Sequence, residues 1–170
     1  MVQNQIFKIE DASDLPESLR EVFLVWDNLS KQGSGPLVEY FSLENIPLKI
    51  LPWSVVVDVL EESGEYRFRF FGTERVQLIG VELTGKLLTQ IPDEYMREGN
   101  RVEYNHVCEY GEPVLCRTPF TTPFGLSSVR LSVRLPMIDK NGRISMIYSA
   151  MDPESLTDAD YHFFGTEPKV

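Results

Sequence analysis

Residues 128–135 read Ser-Val-Arg-Leu-Ser-Val-Arg-Leu, an alternation of apolar and polar side chains that an extended strand sorts onto its two sides. Val129, Leu131, Val133 and Leu135 are expected on one face of a sheet, with Arg130, Ser132 and Arg134 on the other. Similar runs recur along the chain. WSVVVDVL (53–60) and EYRFRFFG (65–72) flank a Glu-Glu-Ser-Gly turn, and in the second Tyr66, Phe68 and Phe70 alternate with Arg67 and Arg69. This pattern predicts a hairpin. VLCRTPFT (114–121), SVRLSVRLPMI (128–138) and RISMIYSAM (143–151) predict three more strands. The last two are joined by Asp139-Lys140-Asn141-Gly142, whose Asn-Gly favours a tight turn.

Helical spacing punctuates the strands. Leu15, Leu19, Val22, Phe23, Trp26 and Leu29 recur at three- and four-residue steps, predicting an amphipathic helix over 14–32. Asp14 is the expected N-cap, Pro16 sits early, and Gly33 is the expected left-handed C-cap. The prolines between Leu37 and Pro52 predict an irregular connector. Thr73 is placed to cap a short helix over 74–79, and a second helix over 93–110 ends at Gly111 with Pro113 beyond. The order is one helix, two strands, a helical crossover and three strands. That order predicts an α+β domain built on a five-stranded antiparallel sheet. Residues 1–13 read as an extension, 14–152 as one domain, and 153–170 as an acidic, weakly patterned tail.

Charge and cysteine usage narrow the partners. Sixteen Lys and Arg against twenty-six Asp and Glu give a net charge of −10, which repels phosphate backbones and anionic headgroups. Neither nucleic acid nor a membrane surface is expected as a partner. Cys108 and Cys116 form no CxxC pair, so they suggest neither a disulfide framework nor a zinc site, and a reducing compartment fits best. No segment resembles a signal peptide or approaches the ~18 apolar residues of a membrane span, so a cytoplasmic location is expected.

A set of spaced signals carries a resemblance. Trp26 lies in the first helix, Leu51-Pro52 precedes the first strand, and Asp58 lies near that strand's end. Phe68-Arg69-Phe70-Phe71-Gly72-Thr73, then Gly80 to Gly85, then Gly111-Glu112-Pro113 follow in order. From about Trp26 to Met151 the chain resembles a bacterial stand-alone family of the PAS fold. It departs in the connector, where relatives often place an Arg and an Asp-Pro and this chain has Leu37 to Glu44. The resemblance implies a small cavity between the sheet and the crossover helices, which PAS domains use for haem, flavin, other chromophores or metabolites, or leave unused.

No cofactor is assigned. A flavin photosensor needs a reactive Cys in an Asn-Cys-Arg context, which neither cysteine has. His106 lies on the 93–110 helix, where a haem-binding PAS domain can place its proximal ligand, but beside Arg101, Glu103 and Glu109 a solvated histidine is the stronger reading. Gly80-Val81-Glu82-Leu83-Thr84-Gly85-Lys86-Leu87 follows the phosphate-loop pattern up to Leu87, which replaces the magnesium-binding hydroxyl. Glu82 would also place negative charge in the cradle, and Pro92 would break the helix behind it. His106 and His162 are the sole histidines, and no nucleophile elbow or zinc motif accompanies them. No catalytic or metal residue is assigned, and an enzyme is not expected.

Strand phase places Phe68, Phe70, Tyr104, Val107, Leu131, Val133, Met146 and Tyr148 as cavity candidates. The same phase puts Arg67, Arg69, Arg130 and Arg134 on the outer face, with Arg117 as a further candidate. With Phe23 and Trp26 of the first helix they make a candidate face for a partner protein or a second copy; pairing with surface acids is the simpler alternative. Three readings stay open: a non-catalytic sensory module that binds a small molecule and acts through dimerisation or docking; a ligand-free interaction domain with a packed core; and, third, an enzyme on a similar curved-sheet fold.

Overall fold

The computed structural model describes residues 4–121 and 127–155. Strands β1 (Gln5–Lys8), β2 (Ser54–Leu60), β3 (Glu65–Phe71), β4 (Val114–Thr121), β5 (Ser127–Ile138) and β6 (Ile144–Met151) form one antiparallel sheet in the order β1-β4-β5-β6-β2-β3. Helix α1 (Glu17–Ser30) precedes β2, while α2 (Thr73–Ile79) and α3 (Glu94–Tyr110) make the crossover from β3 to β4. Strands β2 to β6 and this crossover have the layout that the PAS resemblance implied.

The sheet has six strands instead of five. Gln5–Lys8, expected in an extension, pairs with Val114–Arg117 along the edge of β4. Four residues without alternation carry no strand signal of their own; the open edge of β4 supplies the partner. Residues 153–155 form one 3-10 turn, and the rest of the expected tail lies outside the described residues.

Helix boundaries follow local hydrogen bonding. Asp93 Oδ1 accepts from the Met96 amide at 2.7 Å, and Gly111, at φ 68°, closes α3 where expected. Asp14 does not cap α1. Its Oδ2 accepts from the amides of Glu10 and Asp11 and so belongs to the 3-10 turn Ala12–Asp14. Gly33 is not the C-cap either, since α1 ends at Ser30 with Lys31 in right-handed helical geometry.

Both faces of the sheet are covered. Leu19, Val22, Phe23 and Trp26 of α1 pack on Val56, Val133, Leu135, Met146 and Tyr148. Trp26 Nε1 donates to the Pro136 carbonyl at 2.7 Å, anchoring α1 to β5. On the opposite face Tyr104 and Val107 of α3, with Leu83, Leu88 and Ile91 of the crossover, pack on Val55, Val57, Phe68 and Ile147.

One irregularity decides which aromatic residues meet. The β2–β3 register passes from Val56↔Phe70 to Val57↔Phe68, so Arg69 is an extra residue in β3. Such a bulge reverses the side-chain phase beyond it. Phe68 and Phe71 therefore share the crossover face, edge to face at 5.4 Å, while Phe70 packs on the α1 side.

Gly72 is the closest point between β3 and the turn before β2. Its amide donates to Ser54 O at 2.8 Å, and a Cβ there would lie 2.2 Å from the Pro52 carbonyl oxygen. Backbone on both sides leaves no side chain to yield. Gly72→Ala is expected to cost about 1–3 kcal/mol through displaced backbone, read as a lower urea midpoint with an unchanged slope. An unchanged midpoint would show that the turn at 51–53 yields freely.

Candidate functional site

Between the crossover face of the sheet and the crossover itself lies a narrow cleft lined by Val55, Phe68, Phe71, Arg75, Leu83, Ile91, Met96, Asn100 and Tyr104. Its free volume is about 10 Å³, the room of one water. Its unusual member is Arg75. α2 begins after Gly72 and ends at Gly80 with φ 72°, and on this short helix Arg75 and Leu78 are the buried residues.

Arg75 is 7% exposed. Nη1 donates to the Met151 sulfur at 3.1 Å, and the guanidinium lies 5.9 Å from the centre of the Phe71 ring. Nε is buried and has no hydrogen-bond partner among the described residues. A thioether and a ring face at the limit of cation–π range are weak partners for a full charge. Burial, followed by repulsion from Arg134, lowers the Arg75 pKa to about 9, which still leaves the group charged at pH 7.

The nearest buried acid is already engaged. Glu103 Oε2 accepts from Arg134 Nε at 3.0 Å and from Nη2 at 2.6 Å. Glu103 Oε1 accepts from Asn4 Nδ2 at 2.8 Å and from Thr118 Oγ1 at 3.1 Å. Arg134 Nη2 also donates to Asn100 Oδ1 at 3.0 Å, and its guanidinium stands 5.1 Å from the Tyr104 ring centre. Burial pulls the Arg134 pKa down, but the Glu103 charge and hydrogen bonds more than offset this and hold it above its ordinary value. Asp152, the other buried acid, accepts from Ser18 Oγ at 2.7 Å and from the Glu154 amide at 3.0 Å. Among the described residues Arg75 thus makes no direct ion pair with either buried acid.

The expected cavity residues do not converge. Phe68, Tyr104 and Val107 lie on the crossover face, whereas Phe70, Val133, Met146 and Tyr148 lie in or against the core beneath α1. Leu131 is half-buried and its carbonyl accepts from the Asp152 amide. The expected face assignment of β5 is therefore reversed. With α1 on one side and the crossover on the other, both faces are apolar, and alternation alone cannot say which is which.

The expected partner face is dispersed for the same reason. Phe23 and Trp26 are core residues, 4% and 8% exposed. Arg134 is buried against α3. Arg69 pairs with Asp58 at 2.6 Å, Arg67 is exposed, Arg130 is half-buried, and Arg117 Nη1 lies 3.4 Å from Gln5 Oε1. His106 meets Tyr110 in a tilted ring contact at 4.5 Å, stands 3.8 Å from Glu112, and does not line the cleft. His162 lies outside the described residues. Burial raises the Cys108 thiol pKa, and raises that of Cys116 further, where the Glu103 charge adds to it. Among the described residues no group of three His, Cys, Asp or Glu could hold a metal, and no helix is long and apolar enough to cross a membrane.

The glycine-rich segment is a brace, not a cradle. The Gly85 amide donates to Phe68 O at 2.7 Å, the Lys86 amide to Leu83 O at 2.9 Å, and the Thr84 amide to Glu82 Oε1 at 2.8 Å. These amides are spent within the fold, and the segment covers the outer edge of β3.

Sequence reasoning missed Arg75, Asn100 and Glu103. A signal existed: Arg75 falls in helical step with Leu78, and Asn100 and Glu103 with Tyr104 and Val107. Each is a polar residue inside an apolar stripe.

No family model matches the chain, and no curated protein matches it. Solved structures do. The chain is similar to an RNA-binding Light-Oxygen-Voltage receptor, with 11% identity over 97% of this chain and 41% of that one at a TM-score of 0.46. It is similar to VqmA bound to DPO, with 18% identity over 69% of this chain and 60% of that one at a TM-score of 0.46. It is also similar to a Vibrio cholera VqmA–ligand–DNA complex, with 19% identity over 71% of this chain and 54% of that one at a TM-score of 0.46. The chain spans about 41–60% of the length of these three chains. The neighbours correct one expectation. One is named as RNA-binding and another is bound to DNA, so the exclusion of nucleic-acid partners does not stand. Net charge sums a whole chain, whereas a phosphate contact depends on the local surface.

Proposed function

We propose that this chain is a non-catalytic sensory module of PAS type that takes a small molecule into the cleft between sheet and crossover and passes the change on by dimerisation or by docking a partner protein. The observation that carries the reading is Arg75, a buried cation in the cleft wall whose Nε has no acceptor among the described residues. Native interiors seldom leave a buried charge so poorly matched, and the exceptions gather at functional sites. The crossover forms the cleft wall that faces the sheet. Between α2 and α3 it consists of turns, with only the 3-10 turn Leu88–Gln90 as regular structure. A ligand that binds the opened crossover more tightly than the closed one shifts the population between them.

Native mass spectrometry of freshly purified protein, with an absorbance scan of the same sample, tests this. The expected result is a mass excess that disappears on denaturation. A clean apo mass would favour a second reading, a ligand-free interaction domain. That reading is supported by the cleft's small volume, about 10 Å³, and by the complete burial of Tyr104 and Phe68. The dimer-to-monomer ratio in the same spectrum tests the output step.

A further inference from the structure

The cleft wall combines two chemistries. Val55, Phe68, Phe71, Leu83 and Ile91 make it apolar, and Arg75 with Asn100 supplies its polar edge. Asn100 Oδ1 is taken by Arg134 at 3.0 Å, and one N–H of its amide nitrogen is taken by Met96 O at 2.8 Å. The Nε–H of Arg75 is buried with no hydrogen-bond partner among the described residues, and the Asn100 amide nitrogen carries a second N–H beside the one given to Met96. Among the described residues no buried acid pairs with Arg75, because Glu103 is committed to Arg134 and Asp152 to Ser18 and the Glu154 amide.

We propose that the ligand is a small organic acid, with its carboxylate on Arg75 and the Asn100 amide and its apolar body against the phenylalanines of the cleft. This rests on the reading that the cleft takes a small molecule. A planar carboxylate offers two oxygens to the fork of one guanidinium, and its single charge balances the single cation of the cleft wall. A phosphate ester carries more charge than that one cation balances. Met96 lines the cleft and is half-buried, and its unbranched chain is the wall element that swings most readily. Entry of the acid displaces Met96 and lifts the crossover, which couples occupancy to the position of α3.

The test is thermal unfolding of the full chain at constant ionic strength with benzoate and butyrate against benzamide and butyramide, for the wild type, Arg75→Met and Arg75→Lys. At concentrations well above the dissociation constant the acids are expected to raise the melting temperature by about 5–10 °C. The amides should leave it unchanged. Arg75→Met should fold and lose the response, and Arg75→Lys should keep part of it. Amides as effective as the acids would overturn the charged class while leaving a small-molecule cleft intact. No response to either acid would overturn the inference; a native mass excess in that same sample would keep the cleft reading with another chemistry, and a clean mass would remove both. An acid response that survives in Arg75→Met would place the anion elsewhere and overturn it too.

Discussion

Replacing Glu103 with alanine is expected to lower stability by about 3–5 kcal/mol, because it strands a buried cation. The carboxylate of Glu103 accepts from Arg134, Asn4 and Thr118, so its loss leaves Arg134 with Asn100 and the Tyr104 ring alone. It also removes a negative charge that partly offsets the burial and the Arg134 repulsion that depress Arg75. In a chain of 170 residues this corresponds to a melting temperature roughly 6–20 °C lower. The double variant Glu103→Ala with Arg134→Met should recover much of the loss, since a buried ion pair contributes little net stability over apolar packing. A loss under about 1 kcal/mol in the single variant would show that water reaches the pair.

Phe68→Ala is the second large effect. Its ring is 2% exposed, meets Phe71 edge to face at 5.4 Å and lines the cleft beside Arg75. We expect a cost of about 3–5 kcal/mol by urea titration, from lost burial and from the cavity left behind. In the native mass spectrum the same variant should lose its bound molecule, because the apolar wall of the cleft is gone. A cost below about 2 kcal/mol together with that loss would mean that the ring mainly contacts ligand. The full cost in a chain that never carried a ligand would favour the packed interaction domain.

Much of the framework was legible in the residues. The strands 53–60, 65–72, 114–121 and 143–151 and the helix 93–110 announced themselves through period and capping, because an apolar residue at the wrong phase would lose its burial. Asp93 and Gly111 marked the ends of α3 for the same local reason. The strand β1 was not legible. Gln5–Lys8 becomes a strand only because β4 offers an unpaired edge. The bulge at Arg69 was equally hidden, since EYRFRFF alternates as if Phe68 and Phe70 shared a face.

For β2 to β6 and the three helices, the sequence by itself determined which segments are strand and helix, their order, and that they build one α+β domain, because these follow from propensity and short-range spacing. Tertiary structure alone decided that α1 covers the face holding Val133, Met146 and Tyr148, that Arg134 meets Glu103, and that Arg75 is enclosed with its Nε unpartnered among the described residues. These outcomes depend on which elements pack on which side of the sheet. Alternation assigns a side chain to one of two faces, and only the helix that arrives there determines what that face means.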